Sequence, residues 1–279
     1  MAGVDSFTPA EIAQLVETKG VAKATAPAVP TLVLGVVAGA FIALGGVLAT
    51  LIGTGSELGF GPTRWLAGIG FSLGLILVVV AGAELFTGNN LIVMAWVSRR
   101  VTLGGLLRNW ALVYVGNLIG AFSVVAMIYI AEWWRLSENA VGASALSTAS
   151  AKAALPFGVA FTRGILANAL VCLAVWLATA GRSVIDKVFA IVFPISAFVA
   201  NAFEHSIANA YLVPIGLLLK DRADVVAASG LSPEQLAPLD AGGFLANLVA
   251  ATLGNIVGGA VLVGLVYWFV YLRGERSPV

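Results

Sequence analysis

Two interrupted apolar runs decide the fold: AELFTGNN at Ala83–Asn90 and NAFEHSIANAY at Asn201–Tyr211. Each lies within a hydrophobic stretch (about residues 65–98 and 187–219) that is longer than the roughly 20 apolar residues one bilayer crossing needs. Each places carboxylate and amide side chains in the middle of that stretch. The interruptions correspond: Glu84 is followed five residues on by Asn89, Glu204 five residues on by Asn209, and an A-x-A pair precedes both. A second match lies downstream, GNLIGA from Gly116 against GNIVGG from Gly254. Each half therefore reads as a span, a broken span, and a span carrying G-N-x-x-G. Three is odd, so the second copy enters the membrane from the opposite side, and the halves are inverted repeats about a pseudo-twofold axis in the membrane plane.

The other apolar runs, at about 28–53, 105–131, 156–180 and 243–272, bring the count to six spans. Composition agrees. The chain has 279 residues, 60% hydrophobic and 10% charged, with a mean hydropathy of +1.00, whereas soluble domains carry about 25% charged residues. A soluble enzyme is excluded. With a net charge of +1 and scattered basic residues, no stripe tracks a phosphate backbone, so nucleic acid is not a partner. The single cysteine, Cys172, sits in ILANALVCLAVWLATA; a disulfide and a zinc site fail on count, and no cofactor or metal is expected.

Before the first span, Asp5, Glu11 and Glu17 precede any apolar run, so the start does not read as a cleavable signal and is expected to stay in the mature chain. Thr8, Pro9 and Glu11 form a capping-box helix start. Gly20 reads as the stop, and Ile12, Leu15, Val16 and Lys19 make one face of a short helix lying on the membrane. The expected division is an N-terminal amphipathic helix over 1–27, a six-span channel domain over 28–272 and a C-terminal tail over 273–279. Six spans put both termini on one side. Nine basic residues fall on that side (Lys19, Lys23, Arg99, Arg100, Arg108, Arg182, Lys187, Arg273, Arg276) against five opposite (Arg64, Arg135, Lys152, Lys220, Arg222), which favours cytoplasmic termini. Trp133, Trp134, Tyr267, Trp268 and Tyr271 read as interfacial anchors, and stretches such as GVVAGAF from Gly35 as close helix contacts.

An ionisable group at the bilayer centre costs at least about 2.5–3.5 kcal/mol. Glu84 and Glu204 are read as structural supports that receive freed backbone amides or pair with a half-helix N-terminus. His205, the only histidine, sits at the break where a permeation site would lie. As an imidazole it serves as a neutral donor or as a cation that attracts an anion and surrenders a proton. Thr87 at the other break supplies a hydroxyl and Asn168 in span four an amide. No charged ladder or sodium ligand set is present, and Arg163 is the sole cationic candidate within a span. A passive or proton-linked conduit for a weak-acid anion fits best.

AGAELFTGN, GILANALVCLAVW and above all FEHSIANAY followed by GNIVGGAVLVGLVYW resemble the formate/nitrite transporter family, and within it the formate channels. The resemblance covers nearly the whole chain. It implies an all-α, aquaporin-like membrane fold, a homopentamer with a pore in each protomer, a bacterial inner-membrane location, and transport of formate or a similar small monovalent anion. Carried over by residue, the central histidine is His205, the threonine of the broken second span Thr87, and the span-four asparagine Asn168. The constrictions are Phe71, Leu75 and Phe198 with Leu85 and Phe86, and the outer-vestibule lysine is Lys152. The mechanism expected is attraction of the anion to Thr87 and His205, protonation there, and passage as the neutral acid. Nitrite or hydrosulfide would fit the same site. A membrane enzyme using Glu204 and His205 as an acid/base pair fits poorly, since adjacent helical residues point about 100° apart and no nucleophile or metal site accompanies them. A channel for neutral solutes would carry flux independent of pH gradient and of His205.

Overall fold

The computed structural model describes residues 6–274; the expected C-terminal tail lies almost wholly outside them, as do Asp5 and Arg276. Among the described residues the chain is all helical. In order, it forms α1 (Pro9–Thr25), α2 (Ala28–Gly53), α3 (Phe60–Ala81), α4 (Phe86–Asn89), a 3-10 turn at Asn90–Ile92, α5 (Val93–Val97) and α6 (Leu103–Ile130). A second 3-10 turn at Trp133–Arg135 leads to α7 (Ala140–Ala153), α8 (Phe157–Ala180), α9 (Val184–Ala200), α10 (Ser206–Leu219), α11 (Ala223–Ser229), α12 (Pro233–Leu236), α13 (Ala241–Ile256), a π-helical stretch at Val257–Leu265 and α14 (Val266–Tyr271). Five uninterrupted helices are long and apolar enough to cross a membrane: α2, α3, α6, α8 and Ala241–Tyr271. The sixth crossing is divided between α9 and α10, and α3 continues past its own break through α4 and α5.

The start of α1 follows its sequence: the Glu11 amide donates to Thr8 Oγ1, and Glu11 Oε2 accepts from the Thr8 amide at 2.8 Å. Its end does not. The helix runs through Gly20 to Thr25, because Gly20 is buried against the second half of span two, where an added Cβ would stand 3.3 Å from Ala95 Cβ. That contact outweighs the helix-breaking tendency of glycine and carries α1 one further turn, to Lys23. Nor does the sequence mark α7, which sits in what reads as a connection.

The spans pack in two equivalent sets. α2 lies along α6 and α3, as α8 lies along α13 and α9, and α3 meets α9 between them. Close approach is extreme between α2 and α6: a side chain at Gly39 would overlap the Asn117 carbonyl, and one at Gly120 that of Val36. Gly258 stands in the same relation to Ile165 O. Such contact replaces the hydrophobic driving force that lipid does not supply. The outer faces carry exposed apolar side chains such as Val33, Leu44, Ile69, Leu73, Ile119 and Leu166.

The repeat extends beyond the spans. Lys23 at the end of α1 binds the first break, and Lys152 at the end of α7 binds the second. The repeating unit is thus a short helix followed by three spans, with α1 packed on the first break as α7 is on the second.

Replacing Gly120 by alanine forces α6 from the α2 backbone, and overpacking of this kind costs about 1–3 kcal/mol. Thermal unfolding in detergent should drop for Gly120→Ala. For Gly53→Ala, where a Cβ meets nothing within 4 Å, the midpoint should hold or rise.

Candidate functional site

Each break frees backbone groups that a membrane cannot hydrate, and one asparagine from a neighbouring span satisfies them. At the first, α3 ends on Gly82 in the left-handed region (φ 83°) and the chain runs extended to α4. Asn117 of α6 accepts from the Phe86 amide at 2.9 Å and donates to Gly35 O (2.7 Å) and Glu84 O (2.9 Å). At the second, Asn255 of α13 accepts from the Ser206 amide at 2.9 Å and donates to Gly164 O (2.8 Å) and Glu204 O (2.9 Å). The Glu84 and Glu204 amides donate to Leu34 O and Arg163 O. The two clamps agree partner for partner.

The carboxylates are fixed in the same paired way. Glu84 takes Lys23 Nζ at 2.9 Å and Asn89 Nδ2 at 2.6 Å, and Asn89 also donates to Asn109. Glu204 takes Lys152 Nζ at 2.7 Å and Asn209 Nδ2 at 2.7 Å, and Asn209 also donates to Asn247. Asn109 and Asn247 in turn donate to the Lys23 and Lys152 carbonyls. A buried carboxylate is tolerable only with this degree of pairing. Sequence reading missed Lys23, Asn109, Asn117, Asn247 and Asn255 as parts of this scaffold. Their signal was present: an asparagine eight residues before the G-N asparagine in both halves.

Between the clamps, Thr87 Oγ1 and His205 Nε2 lie 2.9 Å apart, both buried. His205 is the N-cap of α10, its Nδ1 accepting the Ala208 amide at 3.0 Å. With Nδ1 occupied as an acceptor, the hydrogen-bond pattern assigns the neutral ring the Nε2–H tautomer, which donates to Thr87 Oγ1 and frees the hydroxyl hydrogen for another acceptor. Asn168 Nδ2 lies within donating distance of Thr87 O (3.2 Å), Asn90 Oδ1 (2.8 Å) and Asn255 O (2.7 Å). It ties the first break to the clamp of the second, and its amide is committed to protein acceptors.

Two cavities approach this pair from opposite sides. One, of about 360 Å³, is lined by Arg64, Lys152, Arg163, Phe71, Phe198 and His205. The other, of about 340 Å³, on the side of α1, is lined by Lys19, Lys23, Glu84, Lys187, Leu75 and Leu85. Phe71 packs edge-on to Phe198 with centroids 5.4 Å apart, and the Phe198 ring lies 5.8 Å from the His205 ring. Phe71 and Leu75 are one turn apart on α3, so the apolar seal between the cavities is roughly 6 Å thick. Phe86 departs from the expectation that it narrows the passage: its ring packs on Tyr114 (4.9 Å) and Trp110 (6.0 Å) of α6 and lines neither cavity. Asn117 holds the Phe86 amide and turns this residue toward α6, while its neighbour Leu85 faces the cavity.

Residues 10–269 match a family model for formate/nitrite transporters. The chain is 44% identical over 274 residues to the formate channel FocA of Escherichia coli strain K12, covering 96% of each. It is 38% identical to a probable formate transporter of Methanothermobacter thermautotrophicus, covering 95% of this chain and 97% of that one. Among solved structures it is similar to a pentameric formate channel with formate bound, with a TM-score of 0.81, 39% identity, and coverage of 88% of this chain and 98% of that one.

Truncating a clamp strands two or more buried partners at roughly 1–3 kcal/mol each. Asn255→Ala should therefore lower stability by about 2–4 kcal/mol, measured as thermal or denaturant unfolding in detergent. Asn255→Asp, which keeps an acceptor for the Ser206 amide but turns a carboxylate oxygen with no paired cation toward Gly164 O and Glu204 O, should be destabilised at least as much as Asn255→Ala.

Proposed function

This chain belongs to the formate/nitrite transporter family, and from that premise we propose that it is a formate channel, each protomer of a homopentamer carrying formate through its own pore with a proton. The observation that carries the reading is the Thr87–His205 pair, buried behind a single turn of apolar side chains between two cationic cavities. An anion collects in a vestibule lined by ammonium and guanidinium groups, since charge focused in a low-dielectric cleft concentrates counter-ions. The apolar seal then rejects it, because an ion stripped of water pays several kcal/mol that the neutral acid does not.

The pair lowers that barrier. The Thr87 hydroxyl, its oxygen already receiving the His205 Nε2–H, turns its hydrogen to the carboxylate and holds it against the seal. A proton taken up transiently by His205 from hydronium in the vestibule passes through the Thr87 hydroxyl to the carboxylate, leaving water behind and the ring neutral again, and the formic acid formed is a small neutral solute that passes Phe71, Phe198, Leu75 and Leu85. An imidazolium would need a proton on Nδ1 and so would surrender the Ala208 cap. The ring is therefore neutral at rest, and any cationic form is a transient of passage. Asn168 serves as a positioning residue that holds Thr87 through its carbonyl. The paired glutamates keep the breaks open and take no part in the proton transfer.

Likeness to formate channels of bacteria supports a multi-pass protein of a bacterial plasma membrane, and the excess of basic residues on the terminal side favours both termini in the cytoplasm. Accessibility of an N-terminal tag to protease in intact spheroplasts tests that orientation, and cleavage from the outside would overturn it.

In proteoliposomes, formate flux should rise as pH falls. His205→Ala should lose about 10²-fold of that flux together with its pH dependence, the scale that misplacing a reacting group costs. An unchanged pH dependence in His205→Ala would sink the proton-linked mechanism. Nitrite, hydrosulfide and glycerol in parallel fix selectivity: equal rates for the three anions widen the substrate to small monovalent anions, and glycerol flux without anion flux rejects the reading.

A further inference from the structure

The cavity on the α1 side holds two cations that the scaffold does not use. Its lining contains Lys19, Lys23 and Lys187 and one carboxylate, Glu84. Glu84 is matched to Lys23, whose ammonium also donates to Asn89 Oδ1 at 2.8 Å. Lys19, one turn before Lys23 on α1, reaches only a neutral oxygen, Thr179 Oγ1 at 3.3 Å near the end of α8. Lys187, in the first turn of α9, faces the same cavity and has no carboxylate partner among the described residues.

The acids nearby are committed elsewhere. Asp186 caps α9, accepting from the Ser183 and Arg182 amides at 2.9 and 3.0 Å. Glu17 is paired with Arg100 at 2.8 Å, and Glu11 closes the box at Thr8. Arg182 stacks over the Phe7 ring at 4.0 Å. Burial first, and then the charges of Lys187 and Lys23, hold the Lys19 ammonium below its ordinary range. Two like charges facing one partly enclosed space, with no carboxylate paired to either among the described residues, constitute a deficit that an anion fills.

The pseudo-symmetry separates this pair from the scaffold. With Lys23 matched to Lys152, Lys19 corresponds to Thr148; with Glu84 matched to Glu204, Lys187 corresponds to Ala67. Both counterparts line the opposite cavity and both are neutral. There Arg64 is spent on the carbonyls of Ala200 and Val199 at 2.6 and 2.7 Å. The opposite cavity has its own cations beyond Lys152, Arg64 and Arg163, at other positions of the repeat, so the lysine pair belongs to the α1 side alone and holding the breaks open does not require it.

We propose that Lys19 and Lys187, with the Thr179 hydroxyl, form an outer holding site for a small monovalent carboxylate or oxyanion, one step before the Leu75–Leu85 seal. It rests on the transport reading for its consequence, the loading of the inner Thr87–His205 pair from the α1 side, but not for its existence. The site acts at low substrate and is dispensable at saturation, so it governs the apparent KM for entry from that side and leaves the maximal rate alone.

Binding is tested on the purified full-length protein in detergent by broadening of the formate proton resonance. The background is His205→Ala, which removes the inner pair. Broadening should persist in His205→Ala and fall by at least half when Lys19→Gln and Lys187→Gln are added, while Lys19→Arg with Lys187→Arg should retain it. In proteoliposomes of established sidedness, the double glutamine variant in the parent background should raise the apparent KM for entry from the α1 side at least about fivefold, the scale of a single unit charge at contact distance in water, with the maximal rate within about twofold and entry from the other side little changed. Undiminished broadening in the glutamine variant, or a fall in maximal rate at unchanged KM, overturns the holding site. A parent protein that binds formate at the lysines yet carries none would refute the transport reading and leave the site standing.

Discussion

A helix opened inside a bilayer must find partners for its freed amides and carbonyls within the protein, and the rest of this structure follows from how that demand is met. Asn117 and Asn255 each offer one acceptor and one donor group to an extended segment of two or three residues. Reaching both sides of the break requires each asparagine to sit on a helix pressed against its neighbour. Hence Gly39, Gly120 and Gly258 stand where a side chain would collide with backbone. The glycine seams of α2 with α6 and of α8 with α13 are therefore a condition for the breaks, and the breaks are a condition for the site.

The pseudo-twofold relation then sorts scaffold from chemistry. Lys23 and Lys152, Glu84 and Glu204, Asn89 and Asn209, Asn109 and Asn247, and Asn117 and Asn255 are the same residue types in corresponding bonds, the halves differing in that Lys23 also donates to Asn89 Oδ1 and Asn247 to Glu204 Oε2. The three side chains we propose for permeation are all exceptions: His205 corresponds to Leu85, Thr87 to Ile207, and Asn168 to Gly39. The reason is physical. Backbone satisfaction is required equally from each side of the membrane, so the repeat preserves it. One substrate crossing one seal needs a single polar pair, assembled from one residue of each break, and duplication would only add buried polar groups to satisfy.

Burial and charge divide the path into stages. In the cavities, ammonium and guanidinium groups offset the loss of water around an anion. Within the seal nothing does, and Phe71, Phe198, Leu75 and Leu85 exclude a bare charge as effectively as lipid would. Thr87 and His205 lie where the two regimes meet. The ring nitrogen that caps α10 cannot also carry a proton, and this couples the electrostatic state of the site to the integrity of the half-helix.

The sequence by itself determined the six crossings, the two breaks, their inverted relation and the start of α1, because hydropathy, cap chemistry and repeat spacing are local properties readable from neighbouring residues. It also singled out His205, Thr87 and Asn168, polar groups in places where polarity is costly. Only the tertiary structure decided that α1 continues through Gly20, since the contact with Ala95 lies 75 residues away. The same holds for Lys23 reaching Glu84, for Phe86 turning toward Tyr114 instead of the passage, and for α7 as the counterpart of α1. The tautomer of His205 likewise depends on the Ala208 amide and Thr87 being held in place by helices distant in the chain. Periodicity tells which face of a helix is apolar; which neighbour that face meets, and which polar groups the meeting brings within hydrogen-bond reach, is settled only when the six spans pack.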